Sequence, residues 1–168
     1  MRITHRHAVA AAVMLGIFGV AGAATKTDTF QVTVNVPQNC LVTATDLDFG
    51  TYTPGGGDVT NTSTIAVSCT DGLAYDVNLN GGLGGSYSPR TMIGALGGTL
   101  EYNLYTDAGL ATVWGDTSGG TGNQSGIGSG LGNSDVYTVY GEIPDSGATN
   151  LNSAEGAYAD TVTVSVVY

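Results

Sequence analysis

TVTVSVVY, residues 161–168, and FQVTVNV, residues 30–36, decide how this chain is read. In the first, Val162, Val164, Val166 and Tyr168 share one face, with Thr161, Thr163 and Ser165 opposite and Val167 the one apolar exception. In the second, Phe30, Val32, Val34 and Val36 share a face, with Gln31, Thr33 and Asn35 on the other. Apolar residues at every second position mark a half-buried strand. Pro37 separates the leading strand from a body bounded by cysteines. An apolar strand detached at a terminus can fill the edge of a neighbour's sheet. A terminal strand can equally dock in its own sheet, and the residues alone leave both roles open.

Between these two segments the period stays near two. No stretch repeats apolar residues at i, i+3, i+4, i+7 over three turns, as a helix would. Alternating runs at 40–45, 59–69, 74–80, 99–106, 135–143 and 158–168 read as strands. Turn chemistry divides them at Pro54-Gly55-Gly56-Gly57-Asp58, Thr70-Asp71-Gly72 and Asn80-Gly81-Gly82. Short strands at this spacing predict an all-β, antiparallel β-sandwich. Gly115 to Ser134, GDTSGGTGNQSGIGSGLGNS, reads as a long surface loop, because glycine loses much backbone freedom on ordering. It lacks the Lys-Ser/Thr pair of a phosphate loop. Asp116, Asn133 and Asp135 match neither common calcium-loop spacing, so a solvated loop is the expectation.

The N-terminus reads as a secretory signal over residues 1–23. Arg2 and Arg6 precede an uncharged apolar run from Ala8 to Ala21, and Ala21-Gly22-Ala23 is a small-residue cleavage site. The run is shorter than the ~18 residues that mark a membrane span. Its removal takes both histidines, His5 and His7, and two of the four basic side chains. Lys26 and Arg90 then face fourteen acidic residues. Such a surface repels phosphate backbones and anionic lipid, which argues against nucleic-acid binding and basic-patch membrane adhesion.

Cys40 and Cys69 are the only cysteines, and in an exported chain an isolated pair reads as a disulfide. Closing that loop constrains the unfolded chain by about 3.5 kcal/mol in the chain-entropy treatment. With no histidine and no free thiol, triad chemistry and imidazole metal ligation are excluded from the mature chain. No catalytic residue, cofactor or metal site is expected. Carboxylate chemistry is the one enzymatic route left, with Asp46, Asp48, Glu101, Asp107, Glu142 and Asp160 as candidates, and the first two on the same side of a strand. Nothing in the sequence singles out a tuned pair, so these read as solvated carboxylates. The nine tyrosines suit strand packing, although exposed aromatics would also suit a secreted glycan-binding module. Trp114 sits at a strand-to-loop boundary and fits either core or contact surface.

Several motifs together resemble the spore coat protein U domain family, which includes subunits of archaic chaperone–usher pili. They are CLVTATDLDFGTY from Cys40, IAVSCT ending beyond Cys69, Pro89-Arg90-Thr91-Met92 and LEYNLYTD from Leu100. Trp114-Gly115-Asp116, Tyr140-Gly141-Glu142-Ile143-Pro144 and the closing GAYADTVTVSVVY complete the set, which spans nearly the whole mature chain. The resemblance implies an immunoglobulin-like sandwich that is incomplete, missing its final strand and completed by a donor strand. It divides the chain into a signal at 1–23, a donor-strand arm at 24–37 and a pilin domain at 38–168. It gives Phe30, Val32, Val34 and Val36 as donor plugs, with Val162, Val164, Val166 and Tyr168 along the groove or last strand. It further implies a periplasmic chaperone, an outer-membrane usher and neighbouring pilin subunits as partners, and export through the periplasm to a surface pilus serving adhesion and biofilm formation. With room for one domain, the chain is expected to be a shaft or adaptor subunit and not a tip adhesin. A soluble spore or cell-coat structural protein is the alternative.

Overall fold

VTNTSTIAVSC shows how the body is built. In this strand Ser63, Ile65, Val67 and Cys69 turn inward and are buried, while Thr62, Thr64 and Ser68 face outward. The computed structural model describes residues 22–168; most of the expected signal lies outside the described residues. Residues 22–35 belong to a unit separate from the body, which runs from Val36 to Tyr168. They form no helix or strand, and Phe30, Val32 and Val34 are 84–88% exposed. The strand expected at 30–36 is therefore not formed, since a strand requires a hydrogen-bonded neighbour.

The body contains β1 (Cys40–Ala44), β2 (Val59–Cys69), β3 (Ala74–Leu79), β4 (Arg90–Gly94), β5 (Thr99–Tyr105), β6 (Gln124–Ile127), β7 (Asp135–Ile143), the one-turn α1 (Gly147–Leu151), β8 (Tyr158–Ala159) and β9 (Val164–Val167). One sheet has the order β1-β2-β7-β5-β4-β8 and the other β6-β3-β9, with all named strand pairs antiparallel. Between them pack Ile65, Val67, Tyr75, Val77, Leu79, Leu100, Tyr102, Leu104, Val139 and Ile143. The antiparallel sandwich read from the spacing is formed.

Three sequence expectations change. Two strands were not anticipated: β4, and β6 within the glycine-rich segment. Gly126 and Gly128 permit β6, because a Cβ on Gly126 would collide with the hydroxyls of Tyr75 and Tyr137, and one on Gly128 with backbone carbonyls of Cys69 and Thr70. Third, the run 158–168 is not one strand. β8 pairs with β4 in one sheet, β9 pairs with β3 in the other, and residues 160–163 cross between. Asp160 directs the crossing: its carboxylate accepts from the amides of Leu83 (2.8 Å) and Thr161 (2.7 Å) and from the Tyr102 hydroxyl (2.6 Å).

Trp114 is core. It is fully buried, donates its indole N–H to the Val77 carbonyl at 2.9 Å, and meets the Tyr137 ring edge-on at 6.4 Å. Truncating a buried aromatic costs about 3–5 kcal/mol. Trp114→Ala should lose stability on that scale, read as a lower urea midpoint at unchanged slope; a shift near zero would place the indole outside the core.

Candidate functional site

β1 is one edge strand of the larger sheet and β9 one edge strand of the smaller, and the two lie beside one another at one side of the sandwich. A constant-type immunoglobulin domain pairs an A-B-E-D sheet with a C-F-G sheet. Here β1-β2-β7-β5 follows A-B-E-D, and β3 and β9 follow C and F. No strand among the described residues occupies the position beyond β9. The fold is thus an immunoglobulin-like sandwich short of its final strand.

Where that strand would lie, an open cleft of about 970 Å³ runs into the core. Its floor is made by core residues, including Ile65, Leu79, Leu100, Leu104, Val139 and Ile143. Its rims come from the segment after β1, with Leu47 and Phe49, and from the crossing segment with Tyr158, Val162 and Val164. Leu47 and Phe49 lie over Gly141 of β7, where a Cβ would strike both side chains. Their alternating spacing was visible in the sequence; that they bound a cleft was not.

The expected groove residues take different places. Val162 and Val164 line the cleft, and Val166 is half-buried against the core. Tyr168 is 56% exposed and is not part of the lining. Val36 is 73% exposed, like the other plug candidates. Cys40 and Cys69 are directly opposed on β1 and β2 and form the disulfide, with Cα atoms 4.1 Å apart.

The carboxylates serve local structure. Glu101 accepts from the Thr149 hydroxyl (3.1 Å) and Glu142 from the Tyr105 hydroxyl (3.0 Å). Asp107 holds its own turn through the amides of Thr112 (2.9 Å) and Ala111 (3.2 Å), which keep it below the usual carboxylate range. Asp46 and Asp48 lie beyond the end of β1, contrary to their expected place on a strand, and Asp48 accepts from the Gly50 amide at 2.8 Å. Asp116, Asn133 and Asp135 are engaged with Ser118, Ser129 and Tyr75 respectively. No cluster of three His, Cys, Asp or Glu side chains able to hold a metal occurs among the described residues.

Two polar anchors escaped the sequence reading. Arg90 is fully buried, and its guanidinium donates to the carbonyls of Asn80 (2.8 and 3.1 Å) and Trp114 (2.6 Å). Burial disfavours its charged form. Asp145 bridges to the loop at one end of the cleft, accepting from the Tyr52 hydroxyl (2.7 Å) and the amides of Gly55 (2.8 Å) and Gly57 (2.7 Å). These bonds, Tyr52 first, hold the Asp145 carboxyl below its ordinary value; burial and then Asp145 push the Tyr52 phenol up to about 12. A depressed carboxyl contributes stability above its unfolded pKa and loses it as pH falls through the folded one. Asp145→Asn should therefore be less stable than the parent at pH 7, with the gap closing below about pH 4. Urea midpoints measured from pH 7 downward into the acid limb check this, and a gap that stays constant as the pH falls would contradict it.

Comparison with known proteins agrees with this architecture. The family profile described as Spore Coat Protein U domain matches residues 26–165. "Protein U" of Myxococcus xanthus is 33% identical over 178 aligned residues, covering 96% of this chain and 95% of that protein. A structural match is found in the crystal structure of the CsuC–CsuE chaperone–tip adhesion subunit pre-assembly complex from archaic chaperone-usher Csu pili of Acinetobacter baumannii. Its TM-score is 0.56 at 24% identity, over 79% of this chain and 40% of that one. The present chain thus spans two fifths of the solved chain's length, and the likeness speaks for the fold. The profile over most of the chain and the relative similar along nearly its whole length agree: this chain belongs to the spore coat protein U domain family.

Proposed function

We infer that this chain is a non-enzymatic structural subunit that polymerises by strand exchange. Each subunit's cleft receives the arm of a neighbour, with Phe30, Val32, Val34 and Val36 as plugs. The single observation that carries this reading is the cleft itself: an open cleft floored by core residues and rimmed by half-buried Leu47, Phe49, Val162 and Val164, in a sandwich short of one edge strand. Half-buried apolar rims continuous with a core favour a cover, and a strand that adds to β9 supplies backbone hydrogen bonds as well as side chains. The arm matches in chemistry, with four apolar residues on one face and polar ones on the other.

The likeness to a chain of a chaperone–pilus subunit complex supports a periplasmic chaperone as the first donor and an archaic chaperone–usher pilus as the product. The outer-membrane usher and the adjoining pilin subunits follow as partners, and adhesion and biofilm formation as the filament's use. Residues 1–23 would act as the export signal, which suits a chain with a Cys40–Cys69 disulfide. The family's description favours a second reading, a structural protein of a spore or cell coat. Electron microscopy of material assembled from the intact chain, beside a chain lacking residues 25–36, tests polymerisation and separates a fibre from an amorphous coat.

A further inference from the structure

Beyond the expected signal, which contains Met1 and Met14, the chain holds one methionine. Met92 lies on β4 opposite Leu100, is half-buried against the core, and lines the open cleft. Both cysteine sulfurs are bound to each other, so Met92 carries the one sulfur in residues 24–168 open to oxygen transfer. Three of the hydroxyls in that lining are already committed. The hydroxyls of the three tyrosines in the lining are already donated: Tyr52 to Asp145 (2.7 Å), Tyr102 to Asp160 (2.6 Å) and Tyr158 to the Ala154 carbonyl (2.9 Å).

We propose that Met92 is an oxidation site whose sulfoxide closes the cleft to apolar strands. Hydrogen peroxide is the class of oxidant. One peroxide oxygen bonds to a sulfur lone pair as the O–O bond breaks; sulfur is oxidised by two electrons, and the other oxygen leaves with both protons as water. The product replaces a flexible apolar thioether with a polar, chiral group. A docked strand would have to strip water from that oxygen, which disfavours docking. A strand already in place covers the sulfur, so oxidation acts on subunits awaiting a partner and spares those already joined. The identity of the strand rests on the exchange reading above; the polarity change in the cleft does not.

The test uses the purified mature chain, hydrogen peroxide and two probes: a synthetic peptide of residues 25–36 and an apolar fluorescent dye. Tryptic cleavage after Arg90 yields a peptide beginning Thr91-Met92, whose mass reports one added oxygen. Met92 should oxidise readily in the free chain and at least about tenfold more slowly with peptide bound, and the oxidised chain should bind both probes at least about tenfold more weakly. Met92→Leu, shown to be folded by circular dichroism, should bind each probe with an affinity that peroxide does not change. An oxidised chain that binds both probes as tightly as before overturns the proposal, as does a peroxide effect that survives in Met92→Leu. If the untreated chain binds the dye but not the peptide, and peroxide abolishes dye binding only when Met92 is present, the exchange reading fails while the Met92 assignment holds.

Discussion

A chain lacking residues 25–36 should fold normally and form no filament. The body begins at Val36 and has its own core and disulfide, so the deletion leaves the sandwich intact. What it removes is the proposed donor strand. Phe30, Val32, Val34 and Val36 are 73–88% exposed, and burying such side chains gains about 1.5–3 kcal/mol each. Deletion removes all four, and with them the whole apolar face. Each ~1.4 kcal/mol is tenfold in association, so losing four plugs weakens the joint by roughly four orders of magnitude or more. The backbone ladder beside β9 goes with them. Electron micrographs should show filaments from the intact chain and none from the deletion. Circular dichroism and the intact disulfide should show that the deleted chain is folded. Long filaments from the shortened chain would remove strand donation as the joint.

The second expected result is the converse. Residues 25–36 appended after Tyr168 through a short flexible turn should give a monomer that melts higher and does not polymerise. β9 is an edge strand, and a hairpin continuing from it lies antiparallel beside it, as the final strand of an immunoglobulin sandwich does. Covalent attachment turns an association into a ring closure, with an effective concentration in the millimolar range for short flexible linkers. It also avoids the translational and rotational cost of bringing two molecules together. A net gain of about 3 kcal/mol corresponds to roughly 10 °C in melting temperature for a domain of this size. Scanning calorimetry and size-exclusion chromatography read both effects. An unchanged melting temperature, with the added strand free in solution, would mean that the cleft does not accept this sequence.

Much of this architecture could be read before any coordinates. The alternation in residues 59–69, 74–80, 99–106 and 135–143 located four strands within a residue at each end, because each buries one face against the other sheet, and the run 40–45 located β1 as closely. The cysteine pair likewise pointed to its disulfide. The misses share a cause. β6 has almost no side chains to show a pattern; its ladder to β3 and the close approach of Tyr75 and Tyr137 make it a strand. The crossing at residues 160–163 interrupts a run that alternates from Thr161 to Val166, and what interrupts it is Asp160 bonding to groups 58 and 77 residues away. Trp114 took its role from a carbonyl on β3, and Arg90 from the carbonyls of Asn80, just past β3, and Trp114.

Local alternation, export chemistry and the near absence of basic side chains were properties of the sequence alone, because each depends only on residue type and spacing. The cleft, its floor of core residues and the place of Met92 within it were decided by tertiary structure. An unfilled position in a sandwich is a relation between two sheet edges, β1 and β9, that stand more than a hundred residues apart in the chain. No local pattern encodes such a relation; it exists only once the two sheets have packed.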